Sequence, residues 1–202
     1  MTASSAEKIR AELEPAVIGC EIIVLEETTS TNASVFERAF ASTPEGLVVF
    51  AERQTAGRGQ RNNSWESATG KGLWFSILLR PKIDIGESPR LAEWAARTVA
   101  ETIASELSLP ASVKLPNDVI VAGKKVAGVL VEMRAQKNAP HIAIVGIGVN
   151  VNQPPEDFSK ELRHRAISLA TALGREVDRH QFAIALLRNL DRSYTDVFAR
   201  KF

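Results

Sequence analysis

The sequence predicts an α+β domain in which a central mixed, mostly antiparallel sheet is flanked by helices. Two observations carry this expectation. Apolar runs of strand length arrive in consecutive groups, with hairpin signals between residues 112 and 152. Two stripes at helical spacing, 88–107 and 178–197, supply the covering helices. No internal repeat, linker or low-complexity tract divides the 202 residues, so one domain with a sizeable core is expected.

Taken in order, Cys20–Glu27 (CEIIVLEE) reads as a first strand. Ser30 then caps a helix whose Val35, Phe36, Ala39 and Phe40 share one face. LVVFAE (47–52) is a short apolar strand. From Arg53 to Lys71 the pattern dissolves into Gly, Asn, Gln, Ser and Thr, before GLWFSILLRP (72–81) resumes as a buried strand. Ser88-Pro89 places proline in a first helical turn, and Leu91, Ala95, Val99, Ile103 and Leu107 form the stripe behind it. SVKLPNDVIVAGKKVAGVLVEMR (112–134) is a strand broken at Pro116, then a hairpin about Ala122-Gly123-Lys124; HIAIVGIGVNVN (141–152) supplies the next antiparallel strand. Asp178 with Gln181 resembles a capping box opening a helix through Phe182, Leu186, Leu190, Tyr194 and Val197.

Composition narrows the function. Lys+Arg at 25 against Asp+Glu at 24 leaves +1, so no global field favours nucleic acid. No apolar run approaches the roughly 20 residues that cross a bilayer. The N-terminus MTASSAEKIRAELEPA lacks a secretory apolar core, and the single Cys20 excludes an internal disulfide, so a cytoplasmic chain is expected, with no membrane partner. His141, His164 and His180 are scattered, which leaves no zinc-like cluster and no expected transition metal. No GxSxG elbow is present.

Four segments carry possible chemistry. The loop Gln54–Trp65 is long and polar. Gly57 and Gly59 let a ligand approach its backbone, Arg58 and Arg61 suit phosphate oxygens, and Trp65 offers a face to a heterocycle. Spacing alone leaves open a solvated basic loop pinned by Trp65. Asn117 and Asp118 follow a proline break, where Asp118 suits Mg2+ and an Asx turn is the plainer alternative. Lys125 opens an apolar strand, so its ammonium either is solvated at the hairpin or stabilises charge over a sheet-floored cavity. Gly146–Asn152 (GIGVNVN) ends a strand with small residues and amides, and lacks the third glycine of a dinucleotide fingerprint.

In order and spacing, Ser30-Thr31-Asn32, Gln54–Trp65, Lys114-Leu115-Pro116-Asn117-Asp118, Lys125–Glu132 and Gly146–Asn152 together resemble the biotin–protein ligase family, over about residues 28–152. The resemblance implies a fold related to the catalytic core of class II aminoacyl-tRNA synthetases, within the biotin/lipoate ligase family. A single catalytic domain over 1–202 is expected: too few residues precede Thr28 for a DNA-binding domain, so no operator binding is expected, and the C-terminal β-barrel usual in the family is expected to be absent. The resemblance implies a ligase that uses ATP and Mg2+ to activate biotin as biotinyl-5′-AMP and passes the acyl group to a lysine of a carboxylase's biotin carrier domain. Ser30, Thr31, Asn32, Gln54, Gly57, Arg58, Lys125 and Gly128 would then hold biotin. Arg58, Gln60, Arg61, Trp65, Asn117, Lys125 and Asn150 would address the nucleotide. Lys125, Asp118 and Arg58 would be catalytic, with Asp118 also the metal candidate.

Two departures from the family pattern accompany this. Gln60 stands where a basic residue is usual, which implies weaker adenylate retention, and Leu115 stands where an aromatic is usual. A lipoate ligase-like acyltransferase and a non-catalytic biotin or adenylate module are the competing readings. The transferase version needs a nucleophilic cysteine, whereas Cys20 lies away from every motif and reads as a core thiol. A homodimer is expected, because related domains pair through their sheets and an open strand edge invites pairing.

Overall fold

A computed structural model describes residues 3–137 and 140–199. Its elements are α1 (Ala3–Glu12), β1 (Glu21–Thr28), α2 (Thr31–Arg38), β2 (Leu47–Gln54), β3 (Gly72–Leu79), α3 (Ser88–Leu107), β4 (Ala111–Lys114), β5 (Asp118–Val121), β6 (Lys124–Arg134), β7 (Ile142–Asn150), α4 (Leu169–Leu173) and α5 (Arg179–Tyr194). The strands form one seven-stranded sheet in the order β1-β2-β3-β7-β6-β5-β4. Only β1 and β2 run parallel; every other neighbouring pair is antiparallel.

Strand alternation divides the sheet into two unlike faces. Leu73, Phe75, Ile77 and Leu79 of β3, with Ala143, Val145, Ile147 and Val149 of β7, join the main core under α3 and α5. On the opposite face Leu78, Ile142 and Ile144 pack with Val35 of α2 in a smaller cluster. Further along that face, register places Ser76 beside Gly146 and Leu130, and Trp74 beside Gly148 and Gly128. Apolar cover therefore gives way to a floor of small and polar residues, and the functional face begins there.

The turns follow local chemistry. Ala122 and Gly123 both have positive φ, 50° and 75°, as a two-residue hairpin between right-twisted strands requires. The break at Pro116 separates two antiparallel strands, β4 and β5, and does not merely interrupt one. The Asp178 carboxylate accepts from the backbone N–H of His180 and Gln181 and so caps α5.

Four sequence expectations need correction. In α2, Val35 is buried, but Phe36 is 46% and Phe40 66% exposed, because the helix turns Thr31, Asn32 and Ser34 inward instead. Ser30 precedes the helix without capping it through its side chain. Cys20 is exposed, with Sγ 3.0 Å from Glu45 O, and partial desolvation pushes its thiol pKa up. Val197 is likewise exposed, since the chain passes from α5 into a π turn at Thr195.

A carboxylate anchors the N-terminal segment to the last helix. Asp191 of α5 accepts from the N–H groups of Ala16, Val17 and Ile18 at 2.7–2.8 Å. Asp191→Ala strips three donors of their acceptor and should lower unfolding free energy by about 3 kcal/mol in urea titrations. A loss below about 0.5 kcal/mol, the range of an ordinary surface substitution, would contradict that account.

Candidate active site

The small-residue face carries two adjoining cavities. The inner one is lined by the segment Ser30–Asn32, Gln54, Arg58–Gln60 and Asn117, over a floor of Gly128, Leu130, Gly146 and Gly148. The outer groove runs between Lys114, Asp118 and Asn150 on the sheet side and the segment Phe158–Ala166 opposite. Trp65 and Lys125 line both cavities and form the partition between them.

Polar groups converge at the closed end of the inner cavity. Gln54 Oε1 accepts from Thr31 N at 2.8 Å, and Gln54 Nε2 donates to Ser67 Oγ at 3.3 Å. Ser76 Oγ lies 2.7 Å from Thr31 Oγ1 and 2.6 Å from Asn32 Oδ1, and is itself fully buried. Glycine is required at 146 because a Cβ there would overlap Asn32 Oδ1. The helix start, β2 and β3 thus bring together hydroxyl and amide groups up to 45 positions apart, over a glycine of β7.

Lys125 reaches the partition through a bulge. Pairing of β5 with β6 shifts between Val119 and Ile120, so that Ala127 pairs with Val119 and Lys125 with Ile120. The extra residue, Val126, turns Lys125 onto the face of Gly128, which three positions of regular strand would not do. The lysine stem then lies across Gly128, whose missing Cβ would meet Cε at 2.9 Å and Nζ at 3.0 Å. Nζ pairs with Asp118 Oδ1 at 2.6 Å and sits 5.3 Å from the Trp65 ring centre, a cation–π distance.

Trp65 closes the loop onto the sheet. Its ring covers Gly148, where a Cβ would come within 2.6 Å of Cε2 and Cζ2, and meets Trp74 edge-on at 6.0 Å between centroids. Trp65 N donates to Gly57 O at 2.9 Å, and a Cβ at Gly57 would meet Trp65 O at 2.6 Å. Among the described residues, no acceptor reaches the buried Trp65 Nε1. An indole N–H at the partition is therefore available to a ligand oxygen.

The structure brings most predicted site residues together. Asn117 lines the inner cavity while its Nδ2 donates to Val129 O at 3.0 Å, so it also ties the turn to β6. Asn150 lines the outer groove, nearly buried, donating to Ile167 O and accepting from Gln153 Nε2. Gln60 lines the inner cavity. Arg61 is exposed and lines neither cavity, its backbone turned outward at φ 56°. Leu115 is 61% exposed beside the site. Three carboxylates, Glu66, Asp118 and Glu161, line the outer groove, Asp118 being the one paired with Lys125, and no group of three His, Cys, Asp or Glu able to hold a metal occurs among the described residues.

Sequence reasoning missed Ser76 and the wall formed by Phe158–Ala166. A lone serine inside LWFSILL was the available signal for the first. The second had none, because that wall is held by distant partners: Lys71 with Asp157 at 2.6 Å, and Ser159 N donating to Glu66 Oε2 at 3.1 Å.

A mixed sheet whose glycine-floored face holds two cavities parted by a lysine and a tryptophan defines a ligand-binding α+β core of the class II synthetase-like type. Residues 24–150 match the biotin/lipoate A/B protein ligase family, and the chain belongs to it. The bifunctional ligase/repressor BirA of Bacillus subtilis is 37% identical over 198 residues, 98% of this chain and 61% of its own length. The biotin–[acetyl-CoA-carboxylase] ligase of Mycobacterium tuberculosis is 31% identical over 176 residues, covering 85% and 63% of the two chains. A biotin protein ligase from Aquifex aeolicus, solved in complex with biotin and ATP, superposes with a TM-score of 0.75 at 32% identity, covering 90% of this chain and 73% of that one. The chain thus spans about three fifths of the length of these two curated relatives.

Proposed function

We propose that this chain activates biotin with ATP as biotinyl-5′-AMP and transfers the acyl group to a lysine of a carboxylase's biotin carrier domain. The observation that carries the reading is the position of Lys125, whose ammonium stands between the polar-ended inner cavity and the outer groove. With biotin in the inner cavity and the nucleotide in the outer groove, carboxylate and α-phosphate meet at that ammonium. The relatives support this, since one is named for the same ligation and another was solved with biotin and ATP.

The hydroxyls of Ser30 and Thr31 and the amides of Asn32 and Gln54 suit the ureido ring, which has both donors and acceptors. The biotin carboxylate attacks the α-phosphate and pyrophosphate leaves, while Lys125 offsets the charge that develops on the phosphoryl oxygens. Arg58 approaches the same oxygens from the loop. The carrier lysine then attacks the mixed anhydride, and AMP leaves with the bonding electrons. Trp65 on the sheet keeps water from the anhydride and supplies an N–H to it. Mg2+ would enter with ATP and supply charge neutralisation to the phosphates, and Asp118 would be the carboxylate beside Lys125 available to it.

Pyrophosphate release from Mg·ATP, with biotin, lipoate and octanoate offered separately, tests this reading. Biotin should support turnover at least about a hundredfold better than either alternative, since a site built around buried hydrogen-bonding groups rejects acids that leave them unpaired. Preference for lipoate would identify a lipoate-type ligase, and silence with every acid would favour a binding module. A homodimer joined through the open edge of β1 or β4 is part of the same proposal. Sedimentation with biotin and ATP that finds monomer alone would contradict it.

A further inference from the structure

Glu132, on the same face of β6 as Gly128 and Leu130, has no role in the mechanism above. Its Oε2 accepts two hydrogen bonds, from Asn32 Nδ2 at 2.7 Å and from Arg58 NH2 at 3.0 Å. One carboxylate oxygen thereby joins the wall of the inner cavity to the loop that closes it.

We propose that Glu132 is a positioning residue which, through Asn32 and Ser76, fixes the hydrogen-bonding polarity that the inner cavity offers its ligand, and which holds Arg58 toward the same ligand. The inference rests on the inner cavity being the acid-binding site. An ionised carboxylate only accepts, so it selects the Asn32 rotamer with the amide nitrogen toward Glu132 and Oδ1 toward Ser76. That amide oxygen carries no proton, so the 2.6 Å contact is Ser76 donating to Asn32. The Ser76 proton is then committed, and the 2.7 Å contact with Thr31 is Thr31 donating to Ser76. With the Thr31 proton turned to Ser76, Gln54 Oε1, which accepts from Thr31 N at 2.8 Å and lies 3.2 Å from Thr31 Oγ1, keeps a lone pair for the cavity. The site end is therefore an acceptor for a ligand N–H.

Without Glu132 the Asn32 amide is held against turning over by the long 3.5 Å contact of Nδ2 with Leu130 O in place of a charged partner. Once turned, its NH2 would donate to Ser76, Ser76 would donate to Thr31, and the Thr31 proton would turn to Gln54 Oε1, 3.2 Å away, occupying the lone pair that had been left for the ligand. The cavity would then have lost an acceptor for a ring N–H. Arg58 would lose its carboxylate partner and, being half exposed, would swing with the loop.

Four variants test this: Glu132→Ala, Glu132→Gln, Asn32→Asp, and the exchange Asn32→Asp with Glu132→Gln. In the ligand-free protein, nitrogen-15 spectra should show slow exchange of the Asn32 side-chain amide protons, about tenfold faster in Glu132→Ala and little changed in Glu132→Gln, which keeps an acceptor oxygen. In calorimetry the biotin Kd should rise about tenfold or more in Glu132→Ala, and kcat at saturating biotin should fall as well, because Arg58 loses its anchor. Asn32→Asp sets two carboxylates against each other and should bind worse still. The exchange restores a donor at 132 and an acceptor at 32, still served by Ser76, and should recover at least about tenfold of that loss. A residue serving only the fold would move unfolding temperature without that recovery. Unchanged amide exchange in Glu132→Ala, or an exchange variant no better than Asn32→Asp, overturns the proposal. If the wild-type protein binds no biotin, the functional reading fails, and the amide measurement still decides the role of Glu132.

Discussion

Lys125→Ala should lower the rate of biotin-dependent pyrophosphate release by about 10²- to 10³-fold, the loss typical of a group that stabilises transition-state charge. The ammonium pairs with Asp118 in the ligand-free protein at 2.6 Å, with both side chains about one-third exposed. Such a pair contributes little to folding, about 1 kcal/mol or less, so the variant should fold normally and fail only in chemistry. Lys125→Arg should recover little, because the planar guanidinium is wider than the ammonium that lies across Gly128. Rapid-quench measurement of adenylate formation, with unfolding temperature as a control, checks both claims. A rate within threefold of wild type would remove Lys125 from the mechanism.

Gly148→Ala should raise the KM for ATP about tenfold or more and increase the fraction of adenylate lost to water, because it unseats Trp65 from the sheet. The added Cβ would lie 2.6 Å from two ring carbons and 2.9 Å from Nε1. Gly148 sits in β7 between β3 and β6, so its backbone has no room to give, and the loop ring must move instead. Free AMP produced per carrier labelled is the direct measure. Trp65→Ala should raise the same ratio, and the double variant should be no worse than the poorer single, since both remove one contact. An unchanged ratio in Gly148→Ala would mean that loop docking over Gly148 does not protect the intermediate.

Much of this was legible in the chain, and the rest was hidden for identifiable reasons. The near-continuous apolar runs of β3 and β7 and the stripes of α3 and α5 follow from burial, which any single segment reveals. The α2 stripe misled because its inward residues are the polar Thr31, Asn32 and Ser34, which a hydrophobicity pattern assigns to solvent. Polar side chains turned into a sheet are a property of a binding site, where local pattern and tertiary placement part company. The site segments themselves could be named by order and spacing. Which face Lys125 occupies could not, since that depends on a bulge at Val126 created by pairing with β5. Likewise, Arg61 looked equivalent to Arg58 in a basic loop, yet only Arg58 finds a carboxylate, Glu132, seventy-four positions away.

The central claim is that this chain carries an activated biotinyl group across the Lys125 partition to a lysine. Incubating the protein with biotin, Mg·ATP and an isolated biotin carrier domain, and weighing the carrier by mass spectrometry, tests it most directly. The account predicts one added biotinyl group on one lysine, absent when ATP is omitted and nearly absent with Lys125→Ala. An unmodified carrier under conditions where the protein demonstrably binds biotin and ATP would contradict it.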